Sequence, residues 1–443
     1  MRAALRLGGS AAWWLGALLL GAVACGPAGG GEVPERFTPA RLVSADTENG
    51  ATPMFLVTPD GGRILAWVSA PGGGEDGRLH VAVTPAGATA PATATITDPL
   101  GPIEAHGESP PQLAADRAGR IYLQYAVGKL MPGARFPVSA LRFVRSDDGG
   151  RSWSAPVTVN DAGRFGEFGA HNFHALTVAP DGALLSTWLD AREGKSGVWM
   201  SRSGDGGRTW AANAPVDRSP ACPCCRTGVT AAADGALFVS WRTILPGDVR
   251  DVVVARSDDG GATWAEAVRP RADGWVFPGC PHAGPSMRLD AEGRVHVAWW
   301  TGKAGEAGVW YARSDDGGRT FASQPLSTGE RSLPAHVQLV AAAGRVVVAW
   351  DDGLAESPRI LLRESRDGGA TFASAELVSP GGQAASFPVL AVVGDSVAVA
   401  WSATTVAEHH ARAAARPDMK DSASVMPLPR VGQSEIWLRM GGL

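Results

Sequence analysis

The stretch Ser146-Asp147-Asp148-Gly149-Gly150-Arg151-Ser152-Trp153 decides the fold, because it recurs. Further copies run from Ser203 to Trp210, Ser257 to Trp264, Ser314 to Phe321 and Ser365 to Phe372. The shared pattern is S-x-D-G-G-x-[ST]-[WF], at spacings of 51 to 57 residues. Repetition at a fixed period marks a fold made of stacked supersecondary units. Within each copy, Ser and Asp side chains can bond backbone N–H groups and hold a tight turn. The paired glycines adopt backbone shapes closed to other residues. The motif thus reads as a hairpin loop, which gives Asp148, Asp205, Asp259, Asp316 and Asp367 structural roles.

Working outward, each copy is preceded by a second repeat: a strand, a DG-type turn and a strand that ends on an aromatic. Leu176 to Trp188 (LTVAPDGALLSTW) and Val229 to Trp241 (VTAAADGALFVSW) are examples. The aromatic recurs as Trp67, Tyr125, Trp188, Trp241, Trp299, Trp350 and Trp401. Apolar runs before it, such as Val346-Val347-Val348-Ala349, fit strands buried between layers. Seven inner hairpins imply an all-β propeller of seven four-stranded antiparallel blades. Pro85 to Ala90 stands where the first blade would carry the box. The seventh blade needs outer strands, which Ser434 to Met440 and, from the other end, Pro39 to Ala45 can supply. Such closure removes the exposed sheet edge. Residues 37–443 then form one propeller domain with an insertion at 404–433, in which Val406 to Ala415 can form a short helix.

In a four-stranded meander the A–B and C–D turns share one face, here called the bottom. The B–C and D–A loops share the top. The top loops hold His106, Glu108, Glu167, His171, His174, the segment Cys222-Pro223-Cys224-Cys225, Trp275, Cys280, His282 and His336. They also hold Asp190, Arg192, Arg242, Arg250, Asp251, Trp300, Asp351 and Asp352. Loops over a rigid scaffold generally carry function, so the top face is the expected site. Asp190, Asp251 and Asp351, with Arg192, Arg242 and Arg250, are the candidates for catalysis. Paired carboxylates across a funnel can divide acid and base roles. Trp275, Trp300 and Arg250 are the candidates for holding a ligand such as a sugar. Each of these also has a plain reading as packing or ion pairing.

The repeated motif resembles the Asp box of sialidases and other β-propellers. That resemblance implies a stapling role for the boxes, and six blades as the alternative count. It also implies a tyrosine nucleophile and an arginine triad, and neither is recognisable here. The chain has three tyrosines, of which Tyr125 is an inner-hairpin aromatic, Tyr122 shares its strand and Tyr311 precedes a box. Cys222 to Thr227, Gly279-Cys280-Pro281-His282-Ala283-Gly284-Pro285 and Arg250-Asp251 resemble exported bacterial Asp-box proteins often labelled exo-α-sialidase. The four cysteines leave three readings open, one of them a redox or nucleophilic thiol. Export favours disulfides. Thiolates with His282, His171 or His174 would instead suit copper or zinc.

Composition sets the remaining bounds. The 443 residues include 57 Gly and 32 Pro with 19% charged, which suits strands and turns. The formal charge is -4 with no basic block, which argues against nucleic acid as a partner. Residues 1–24 read as a signal peptide: Arg2 and Arg6, an apolar stretch, then Ala22-Val23-Ala24-Cys25. This end resembles a lipobox, which implies that Cys25 is lipidated. Residues 25–36 then form a flexible tether to the membrane. The expected product is an exported monomer, lipid-anchored to the cell envelope. It binds or hydrolyses glycans, or serves as a non-catalytic scaffold for an envelope protein, or holds copper or zinc.

Overall fold

A computed structural model describes residues 36–44, 49–71, 76–134, 137–161, 163–329, 335–353, 357–414 and 434–442. The signal peptide, Cys25, the tether up to residue 35 and the insertion beyond residue 414 lie outside the described residues. Seven antiparallel sheets follow one another along the chain, as the hairpin count requires. Their innermost strands are Gly50–Val57, Gln112–Ala115, His171–Val178, Gly228–Ala231, Ser286–Leu289, Val337–Ala342 and Gln383–Val393. These strands surround a central cavity of about 390 Å³. The second strand of every blade carries its aromatic, and all seven aromatics are buried between sheets. In the fourth blade the outermost position is reduced to a single bridge, Val254 to Val268. Pro270, with no N–H to donate, follows just behind it.

Closure is as the sequence implies. The last sheet takes Gln383–Val393, Ser396–Thr405 and Glu435–Gly442 from one end of the described chain and Arg41–Leu42 from the other. Arg41 pairs with Leu438 and Leu42 with Trp437. Phe37 bridges Gly441, and Arg36 Nε donates to the Gly442 carbonyl. The expected helix spans Val406–Ala414.

The boxes form the predicted hairpin loops. Ser146 Oγ donates to Asp148 Oδ1 at 2.8 Å and accepts from Gly150 N at 2.7 Å. Asp148 also accepts from Ser152 Oγ at 2.6 Å and from the Ser152 amide. The Ser152 hydroxyl and amide hold the Asp148 carboxyl well below the ordinary carboxylate range. The boxes do more than staple their own hairpins. The second glycine of each seats on a side chain of the preceding blade: Gly150 on Val83, Gly207 on Phe143, Gly261 on Met200, Gly318 on Phe238 and Gly369 on Tyr311. Trp210 packs edge-on against the same Phe143, and Phe372 against the same Tyr311.

A further link runs from box to box. Arg145, Arg202, Arg256 and Arg313 each precede a box serine. Each donates to the first glycine's carbonyl in the next box, at Gly206, Gly260, Gly317 and Gly368. In the sixth blade the equivalent position is Glu364, which pairs with Arg36 of the closing segment at 2.7 Å.

Candidate functional site

At the top end of the channel, loops from distant blades meet around Glu108. Its Oε2 accepts from Gly284 N at 2.7 Å and Arg226 N at 3.2 Å. Its Oε1 is buried without a hydrogen bond, 3.7 Å from Arg226 Nη1. Arg226 Nη2 continues to the Val337 carbonyl at 2.6 Å. One carboxylate and one guanidinium therefore join the loops entering blades two, four, five and six.

Five rings sit at this level. His106 lies edge-on to Phe173 at 5.4 Å and faces His282 at 5.7 Å. His336 lies 3.8 Å from Phe387, whose ring leaves no room for a side chain at Gly107. Phe173, His282 and Phe387 all have φ between +50° and +59°. A bulky residue is rarely held in that region unless its surroundings fix it, and such strain concentrates at functional sites. Burial pushes His106 down to about 4, with the neighbouring His282 adding to the effect. His106 Nδ1 accepts the Glu108 amide, so at neutral pH the ring carries its proton on Nε2. Burial also opposes charge on His336, but Asp351 2.6 Å away overrides it and raises the imidazole's pKa.

The candidate acids are already engaged by protein groups. Asp190, Asp251, Asp351 and Asp352 are only 1, 0, 4 and 9% exposed. Asp190 accepts from His171 Nδ1, Trp188 Nε1 and the Arg192 guanidinium. Burial alone would raise its pKa, yet the His171 and Arg192 bonds hold it well below the usual range. Asp251 accepts the Gly274 amide and faces Arg269, and Asp351 accepts the His336 and Phe387 amides. Arg242 is fully buried and donates to the carbonyls of Ala283, Arg250 and Trp300. Arg250 Nε donates to the Phe277 carbonyl, while its Nη1 is buried without a partner. Trp275 stacks on Phe277 and meets Trp300 edge-on, and both tryptophans lie beneath the surface. Neither presents an open face to a sugar. The three tyrosines are buried, with phenols on Asp116, Asp98 and His296. Burial pushes Tyr122 up to about 12 and the other two higher still. None is placed to attack a substrate.

Residues 97–276 match the model of the BNR repeat-like domain. The chain is a seven-bladed β-propeller that contains a BNR repeat-like region. No curated protein matches it. Among solved structures it is similar to an ulvan lyase of polysaccharide lyase family PL25, at 16% identity and a TM-score of 0.52. That match covers 82% of this chain and 93% of the lyase. It is similar to polysaccharide lyase Uly1 at 13% identity and a TM-score of 0.51, over 90% of this chain and 91% of that one. Trypanosoma rangeli sialidase matches at 13% identity and a TM-score of 0.48, over 89% of this chain and 55% of its own. At these identities the likeness concerns the fold.

The propeller also brings its cysteines together. Cys222, Cys224 and Cys225 are buried, with their sulfurs within 4.8 Å of one another. Cys222 Sγ lies 3.6 Å from each of the other two, far beyond a disulfide bond of about 2.05 Å. Cys280 is exposed and stands outside that group. Thiol donation from Cys224 and Cys225 stabilises a thiolate at Cys222, while burial raises the other two. The histidines named as metal ligands do not join the trio. His171 bonds Asp190, His174 lies between Ser109 and the Gln124 carbonyl, and His282 Nδ1 faces the Cys280 carbonyl. Phe173 and Phe387 were not singled out from the sequence. Each sits at a bulge of an innermost strand, between Asn172 and Ala175 and between Ser386 and Val389. No pattern in the sequence marks them, because the register break that places each shows only once the strands are paired.

Proposed function

We propose that this BNR propeller is an exported, lipid-anchored envelope protein that binds glycans over the top end of its channel. The observation that carries the reading is the ring cluster of His106, Phe173, His282, His336 and Phe387. It sets imidazole nitrogens beside apolar ring faces, the pairing that sugar hydroxyls and C–H faces require. The named substrates of the two lyases that share the fold give the reading its ligand class. The buried, fully engaged carboxylates and tyrosines favour binding over sialidase-type hydrolysis.

Binding of the full-length protein to an array of bacterial and algal polysaccharides tests this. The expected result is a hit that weakens at least tenfold in His282→Ala and His106→Ala with melting temperature unchanged. Absence of any hit, or hits indifferent to both variants, would refute it. Turnover of a fluorogenic sialoside that disappears in Tyr311→Phe would replace binding with hydrolysis. Mass spectrometry of the N-terminal peptide checks the anchor, which requires a lipidated Cys25.

A further inference from the structure

The thiol cluster lies beside the ring cluster, since Cys280 and His282 share a loop, yet no step of glycan binding uses it. Its geometry is that of a donor set. A metal bound to sulfur at about 2.3 Å in a tetrahedron sets the sulfurs ~3.8 Å apart. The two short separations at Cys222 are 3.6 Å. Cys280 is exposed and stands outside the group of sulfurs that lie within 4.8 Å of one another, so it joins as a fourth sulfur by a side-chain movement. The loop is held before any ligand arrives. The Cys222 amide donates to the Arg242 carbonyl at 2.8 Å, the Ala221 amide to Ser196, and the Thr227 amide to Phe173. Two buried cations belong to the same framework: Arg242, whose carbonyl accepts the Cys222 amide at 2.8 Å, and Arg250, whose carbonyl accepts from Arg242 and whose Nη1 has no partner. They would offset the negative charge of a metal–thiolate centre. A purely apolar packing role would not explain three buried thiols gathered beside two guanidiniums.

We infer that Cys222, Cys224, Cys225 and Cys280 form a binding site for one closed-shell thiophilic metal ion, zinc(II) or copper(I). Soft sulfur donors in tetrahedral or trigonal array select such ions. As the ion enters, the thiols release their protons to solvent and no electron is transferred. The three buried sulfurs form the floor of the site, and Cys280 closes it from the solvent side. The inference does not depend on the glycan reading, because metal content and glycan affinity are measured separately.

The test uses full-length protein purified without chelator, with metal content measured by mass spectrometry and thiols by alkylation in denaturant. The expected result is one equivalent of zinc or copper per chain and four alkylatable thiols besides Cys25 once the ion is stripped. Titration of the stripped protein against a zinc dye and, separately, a copper(I) chelator identifies the ion. Cys224→Ser should abolish uptake. Cys280→Ser changes only an exposed side chain, so it should fold normally and lower affinity at least a hundredfold. The inference fails if the stripped protein takes up neither ion. It also fails if the isolated protein carries disulfides in place of thiols, or if Cys280→Ser binds as tightly as the parent.

Discussion

Gly206 and Gly207 separate two demands that one motif places on adjacent residues. Both have positive φ, at +74° and +81°. A Cβ on Gly206 would come no closer than 3.4 Å to the tip of Arg145, whereas one on Gly207 would fall 2.0 Å from the Phe143 ring. Gly206→Ala should therefore cost about 1 kcal/mol, the backbone term alone. Gly207→Ala should cost roughly 2–4 kcal/mol, because the preceding blade must also give way. Denaturant unfolding of the two variants measures the difference, and equal losses would mean that the seam between blades is soft. Histidines set a second residue-scale expectation. Burial holds His174 at about 4. The unfolded chain therefore binds a proton between pH 6.5 and 4 that the folded chain refuses, so stability falls as pH drops through that window. The shift corresponds to about 3 kcal/mol. His336, raised by Asp351, works the other way: its contribution is present at low pH and is lost as pH rises through its folded value. Thermal melts from pH 7 to 4 should show a net decline, since His106 adds to His174. A flat profile would contradict neutral burial.

At the scale of elements, the hairpins were legible because each is local: two strands, a turn and an aromatic lie within about a dozen residues. What joins the elements was not legible in the same way. Arg145, Arg202, Arg256 and Arg313 were printed before every box but the last, yet their partners lie 55 to 61 residues further on. A motif read within one hairpin assigns them to solvent. The closing element has the strongest expectation. Deleting residues 36–44 would leave Glu435–Gly442 as an open edge and remove Arg36 from Glu364 and Glu376. The melting temperature should fall by several degrees and light scattering should rise with concentration, because unpaired edges recruit other chains. A truncated protein that melts like the parent and stays monodisperse would show that the ring holds without its outer strand.

Across the whole molecule, blade number and the division into two faces followed from strand alternation. The content of the top face did not. Sequence named Asp190, Asp251 and Asp351 but did not show that their oxygens are occupied: Asp190 is filled by Trp188, Arg192 and His171 of its own blade, while Asp251 and Asp351 take the Gly274 and Phe387 amides from the next. Glu108 meets Gly284 from 176 residues away, and Arg226 meets Val337 from 111. Such contacts exist only once the ring is closed.

The pairing of Arg41 with Leu438 and Leu42 with Trp437 also fixes an order of events. Six blades draw their strands from contiguous sequence, so each can assemble as it is synthesised. The seventh must wait with one of its four strands made first and the other three made last. Until residues 434–442 arrive, the early strand has no partner, and the five box seams bear on an arc rather than a circle. The slow step in maturation is then the meeting of two segments almost four hundred residues apart, and a chaperone acting on this protein would have one edge to guard.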